Sequence, residues 1–157
     1  PGGGDTPGGG DTPGTGDTPG TGDGPCSNRI DGTGDRDKLG GTKASDRIVG
    51  RQGNDRIKGR AGADCLLGKG GNDKIAGNGG GDTVRGGGGK DKIKTQGGAD
   101  VIRGGRKADT IKAGGGKDTV RAARGARDTI DCGPGKDTAI INKRKDSVRR
   151  CEKVKLR

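Results

Sequence analysis

Between Asp37 and Asp146 an aspartate returns every nine residues, and an aliphatic residue stands two positions after each. The aspartates fall at 37, 46, 55, 64, 73, 82, 91, 100, 109 and 118, then, after one inserted residue, at 128, 137 and 146. Asn28 occupies the same register ahead of them. The aliphatics are Ile30, Leu39, Ile48, Ile57, Leu66, Ile75, Val84, Ile93, Ile102, Ile111, Val120, Ile130 and Val148. Ala139 is the weak member of the series, and Ile140 beside it is expected to compensate. Glycines crowd the five residues before each aspartate, as in GRQGNDRIK (50–58) and GKGGNDKIA (68–76). Each unit therefore reads as a Gly-rich turn ending in Asp, followed by a three-residue strand whose middle residue points inward. Fourteen such units predict a parallel β-solenoid over residues 26–151, in which each repeat buries its aliphatic against the next.

Composition makes the periodicity decisive. Only 22% of the 157 residues are hydrophobic, none is aromatic and 40 are glycine. Low hydrophobicity with high charge ordinarily means disorder, and a conventional globule would need larger side chains to fill its interior. The repeat is what argues for a fold.

Residues 1–25 follow a different rule. Proline recurs at positions 1, 7, 13, 19 and 25, a six-residue period. Such a segment builds no core and reads as an extended Pro/Gly-rich tail, part flexible and part polyproline II. Two turns of a three-fold helix per period would align the prolines on one edge, which suits docking into a long groove. Residues 152–157 are expected to form a short basic end. The chain begins at Pro1 without a signal-peptide pattern, as a processed product would. No apolar run approaches the length of a membrane-spanning helix.

Charge narrows the partners. The formal net charge is +11, and it becomes +15 once the four acids of residues 1–25 are set aside. An excess of this size favours polyanions such as acidic polysaccharide, cell-surface polymers, anionic lipid or nucleic acid. Sequence-specific nucleic-acid recognition is not expected, because neither stacking aromatics nor a groove-reading helix is present. With no histidine and with carboxylates spread evenly along the chain, no nucleophile–base pair exists, and the chain reads as non-enzymatic.

The units at 50–58, 59–67, 68–76, 77–85 and 86–94 resemble the haemolysin-type, or RTX, calcium-binding repeat GGxGxDxUx, in which U is a large aliphatic. The resemblance implies an all-β, right-handed parallel β-roll of about seven two-strand coils, with calcium between successive turns. The opening CSNRIDGTGDRDKLGG and the closing IDCGPGKDTAIINKRKDSVRRCEKV also resemble small secreted members of actinobacterial type. Calcium ligands are then expected at Asp55, Asp64, Asp73, Asp82, Asp91, Asp100 and Asp118, because a hard cation needs six to eight oxygens and Gly-rich turns expose carbonyls. Same-side aspartates are eighteen residues apart, so Asp55, Asp73 and Asp91 should form one column and Asp64, Asp82 and Asp100 the other. The alternative is that each Asp caps its own turn without metal. Bases also enter the turns, at Arg51, Arg60, Lys69, Arg106, Lys107, Lys117, Arg124, Arg127 and Lys136. They should repel calcium and offer the carboxylates another partner. The turns around Asp46, Asp109, Asp128 and Asp146 look degraded.

Four cysteines in a small Gly-rich chain point to disulfides and an oxidising, extracellular compartment. Their spacing pairs Cys26 with Cys65 and Cys132 with Cys151, pinning the two ends of the roll; free buried thiols are the alternative. Of the two outer faces, one carries Lys38, Arg56, Lys58, Lys74, Lys92, Lys94 and Lys112. The other sets Val49, Leu67, Val101 and Ile140 among Arg85, Arg103 and Arg121. The expected function is an extracellular structural β-roll that self-associates as a filament or matrix subunit, its tail (Pro7, Pro13, Pro19) docking on Val49, Leu67 and Val101 of a neighbour. A secreted monomeric calcium module on a linker, or a cationic adhesin for acidic polymers, are the other readings.

Overall fold

A computed structural model of the chain describes residues 26–122, 126–142 and 146–157. Among these residues there are fifteen strands and no helix. The odd-numbered strands form one parallel sheet. They are β1 (Asn28–Asp31), β3 (Asp46–Arg51), β5 (Cys65–Gly70), β7 (Thr83–Gly88), β9 (Val101–Gly105), β11 (Thr119–Arg121), β13 (Thr138–Ile141) and β15 (Lys153–Leu156), paired in that order. The even-numbered strands form the second. They are β2 (Lys38–Gly40), β4 (Arg56–Ala61), β6 (Lys74–Gly79), β8 (Lys92–Gly97), β10 (Thr110–Gly115), β12 (Thr129–Asp131) and β14 (Ser147–Arg149). The chain crosses to the opposite sheet after every strand, giving a β-roll of about seven coils.

Register follows from the period. Two units make one coil, so residues eighteen apart pair and like side chains stack: Ile48 with Leu66, Leu66 with Val84, Val84 with Ile102, Ile102 with Val120. On the other sheet Ile57, Ile75, Ile93, Ile111 and Ile130 stack in turn. One residue is inserted between Asp118 and Asp128, and the pairs that span it are nineteen apart without losing register. From Ile48 to Ala139 these residues are buried, and each fully buried Ile stabilises the roll by about 1.5–3 kcal/mol. Ala139 is compensated by Ile141 rather than by Ile140: Ile141 joins the core, whereas Ile140 lies outward in register with Arg121.

The longer strands reach six residues, and this reveals a second inward position four residues after each aspartate. It holds Gly50, Gly59, Gly68, Gly77 and Gly86, then Thr95, Gly104, Ala113, Ala122, Cys132 and Ile141, all buried. The stretch 152–157 is also not a separate end. β15 pairs with β13 and prolongs the roll. Disulfides join Cys26 to Cys65 (Cα–Cα 5.9 Å) and Cys132 to Cys151 (Cα–Cα 5.2 Å). One spans the first coils and the other the last.

Candidate metal centre

Each aspartate is fixed by the coil beneath it. The backbone N–H of one aspartate donates to Oδ1 of the aspartate one coil later, at 2.7–3.0 Å, from Asp37→Asp55 through Asp128→Asp146. Asp55, Asp73 and Asp91 thus stand in one column, and Asp64, Asp82, Asp100 and Asp118 in the other. At the last turn Glu152 takes the aspartate's place, its Oε2 accepting the Asp137 N–H at 2.7 Å. Sequence periodicity misses Glu152 because it stands fifteen residues on, not eighteen. Its signal is local: Glu152 immediately precedes β15, as Asp55 immediately precedes β4.

The second carboxylate oxygen behaves differently. Oδ2 of Asp55, Asp64, Asp73, Asp82, Asp91, Asp100, Asp109, Asp118, Asp128 and Asp137 is buried and has no hydrogen-bond partner. For Asp55, Asp64, Asp73, Asp82, Asp91 and Asp109 it faces a glycine of the second inward column, which leaves the necessary space. A Cβ placed on Gly50 would collide with Asp55 Oδ2 and lie 2.9 Å from the Gly68 carbonyl oxygen. Gly59, Gly68 and Gly86 repeat this arrangement, each with an Asp Oδ2 and the carbonyl of a glycine one coil on. Every such gap therefore collects a carboxylate oxygen and a main-chain carbonyl, two hard donors with no proton between them. Burial pushes Asp82 and Asp109 up to about 7, and Asp73, Asp118 and Asp128 up to about 6. The N–H from the preceding coil pulls each partly back, and neighbouring carboxylates in the column push it up again. Such oxygens call for either a proton or a cation.

Three turns are built otherwise. Asp37 Oδ2 accepts the Thr33 N–H at 2.7 Å, Asp46 Oδ2 the Thr42 N–H at 2.6 Å, and Asp146 Oδ2 the Asn142 N–H at 2.9 Å. These aspartates cap their own turns. The backbone four residues before the aspartate separates the two classes. In the open turns Arg51, Arg60, Lys69, Asn78, Gly87, Gln96, Gly105, Gly114 and Gly133 have positive φ, whereas Thr33, Thr42 and Asn142 do not. A left-handed residue at that point turns its N–H away from the carboxylate and leaves Oδ2 unpartnered. For five of the nine the residue is not glycine, with φ from 76° to 100°, a conformation that costs on the order of 1 kcal/mol each.

These observations revise two expectations. Asp109 and Asp128, placed in turns that look degraded, have the same unpartnered Oδ2 as the others, as does Asp137; Asp46 and Asp146 do not. The count of glycines is therefore the wrong signal, and the conformation four residues upstream is the right one wherever that residue is described. Nor do the seven turn bases Arg51, Arg60, Lys69, Arg106, Lys107, Lys117 and Lys136 occupy these carboxylates. All seven are exposed, and Arg51 reaches Asp31 at 3.6 Å. Arg124 lies outside the described residues. No group of three or more His, Cys, Asp or Glu side chains gathers among the described residues, so a cation here would draw most of its ligands from carbonyls.

The family model of the RTX calcium-binding nonapeptide repeat, which spans four copies, matches residues 40–75, 59–93, 67–101, 76–110 and 94–127. Together these cover more than half of the chain. The chain belongs to the RTX calcium-binding repeat family. No curated protein matches it. RTX repeats bind calcium, and the buried aspartate ladders of this roll are consistent with that cofactor. The RTX repeat is a structural module rather than a catalytic one.

The residues expected to mediate self-association do not share one exposed row. Val49 and Leu67 are in register with Arg85 on one outward column, while Val101 aligns with Thr83 on the other. Val49 is buried (8% exposed), Leu67 half-buried and Val101 exposed (40%). The mismatch arises because Val101 directly follows its aspartate whereas Val49 and Leu67 stand three residues after theirs. Pro7, Pro13 and Pro19 lie outside the described residues.

Proposed function

We propose that this RTX roll is a non-enzymatic extracellular structural protein that calcium holds together and that assembles end to end into filaments. The unpartnered Oδ2 atoms in two columns carry the first half of the reading. Without a cation the roll buries carboxylates that repel one another along each column. Calcium would be held by Asp55, Asp64, Asp73, Asp82, Asp91, Asp100, Asp109, Asp118, Asp128 and Asp137 with main-chain carbonyls, those of Gly68, Gly77, Gly86 and Gly104 beside Asp55, Asp64, Asp73 and Asp91, and it neutralises that repulsion. Calcium-dependent folding and two disulfides both suit an oxidising compartment outside the cell.

The ends of the roll support the second half. Val154 and Leu156 continue the inward columns of Ala139 and Ile141, yet they are 46% and 53% exposed. At the opposite end Ile30 and Leu39 are only partly buried. Solenoids that remain monomeric cover such ends with polar caps. An apolar end that fits the opposite end of a second copy makes a head-to-tail contact that repeats without closing. The proline tail would add to that contact.

Electron microscopy and sedimentation of the purified chain, with calcium and with a chelator, test the reading. Filaments with calcium, lost on chelation and in Val154→Lys/Leu156→Lys, are expected. A calcium-folded chain that stays monomeric at every concentration would leave only a monomeric calcium module.

A further inference from the structure

The even-numbered sheet presents a surface that neither calcium nor the stacking ends account for. Its outward positions form two rows along the roll axis. Lys38, Arg56, Lys74 and Lys92 stand in register in one row. In the other, Lys58, Ala76, Lys94 and Lys112 follow one another. From β2 to β10 the outward positions thus carry seven cations and no acid. The first acid met is Asp131 on β12, which Arg149 and Arg150 already hold at 2.8 and 2.6 Å.

Parallel strands lie about 4.8 Å apart, so each row spans four strands, about 14 Å, with a cation on every strand in the first and a break at Ala76 in the second. Neighbouring ammonium groups at such a distance repel one another in water by somewhat under 1 kcal/mol per pair before screening. The roll keeps them nonetheless, while its opposite sheet mixes aliphatic, threonine and arginine positions. At the β2 end the surface is also concave. Gly40 leaves a recess of about 600 Å³ lined by Lys38, Leu39, Gly40, Arg56, Lys58 and Arg60.

We propose that this face binds an acidic polysaccharide, a chain bearing one carboxylate per sugar ring, laid along the roll axis with one end anchored in the Gly40 recess. Charge spacing carries the choice of partner. An extended polyuronate advances by about the strand spacing per sugar and turns successive carboxylates to alternate edges, so the two cationic rows meet alternate carboxylates. The chain has no aromatic residue and no helix among the described residues. It therefore offers no stacking platform for bases and no element that enters a nucleic-acid groove. Lysine contacts of this kind are strong in sum, weak singly and sensitive to salt.

Calorimetric titration of the calcium-loaded chain with an oligogalacturonate tests the proposal, and circular dichroism confirms that each variant keeps its fold. Lys38→Thr/Lys58→Thr is expected to weaken binding roughly tenfold. Arg85→Thr/Arg103→Thr on the other sheet removes the same charge and should change it less than about twofold. Gly40→Val narrows the recess without removing a charge and should also weaken binding. Added salt should weaken oligosaccharide binding yet favour assembly of a chain with a net charge of +11, so the two activities separate. Equal loss in both double variants would reduce the effect to net charge and overturn the proposal. So would tighter binding of a single-stranded oligodeoxynucleotide of equal charge, or no binding at all.

Discussion

Replacing Asp82 by asparagine should stabilise the calcium-free roll at pH 8 and destabilise the calcium-loaded one. Asp82 is 1% exposed, its Oδ1 accepts the Asp64 N–H at 2.9 Å, and its Oδ2 has no partner. Asparagine keeps the Oδ1 bond and removes the charge. Burial raises the Asp82 carboxyl from 3.8 to about 7. Holding it ionised in the fold therefore costs on the order of 4 kcal/mol. The amide brings an N–H₂ with no acceptor of its own, which costs about 1–3 kcal/mol. The net expectation without calcium at pH 8 is a gain of about 1–3 kcal/mol. The sign with pH follows from the raised value. A carboxyl whose folded pKa lies above its unfolded one contributes stability that is full below 3.8 and lost as pH rises through about 7. Wild-type chain is therefore at its worst at pH 8, and the advantage of Asp82→Asn should shrink towards zero by pH 5. With saturating calcium the order reverses, because the variant lacks a carboxylate ligand. The chain has no Trp or Tyr, so urea unfolding is followed by far-ultraviolet circular dichroism at pH 5 and pH 8, with calcium or chelator. An Asp82→Asn chain less stable than wild type in chelator at pH 8, or equally stabilised at both pH values, would refute the reasoning.

Other consequences follow from the same geometry. Asp46, whose Oδ2 is already occupied by Thr42, should behave unlike Asp82: Asp46→Ala is expected to cost about 1–2 kcal/mol to the same extent with and without calcium, read from paired urea melts. Gly71 has φ 113°, and a Cβ there would run into the Gly53 carbonyl of the coil beneath. Gly71→Ala should therefore cost about 2–3 kcal/mol or more and lower the calcium-folded signal in circular dichroism. Removing Cys26–Cys65, which closes 39 residues, should cost about 4 kcal/mol, and removing Cys132–Cys151, which closes 19, about 3 kcal/mol. Cys→Ser pairs in denaturant titration check both values and their order. Ile93→Ala, in the middle of the even sheet, should cost about 2–5 kcal/mol, since flanking coils cannot collapse into the gap.

The sequence by itself determined the solenoid, its inward aliphatic columns and which cysteines meet. A nine-residue period with one aliphatic per unit has a single economical arrangement, and stacking two units per coil brings positions eighteen apart together. The period also named the aspartates as turn residues that stack in two columns. What it did not determine is which of them have a free oxygen. That depends on the sign of φ four residues upstream, and Arg51, Arg60 and Lys69 adopt it against their own preference because the neighbouring coils fix the turn. The second inward column at Gly50 and Glu152 as the closing member of the ladder were likewise decided by tertiary structure, whereas the placement of Val101 apart from Val49 was legible in their different spacing from Asp100 and Asp46. The physical reason is common to the first three. A residue in this roll finds its main partners one coil away, so a unit's own nine residues specify its turn and strand but not what the coil above or below offers to them.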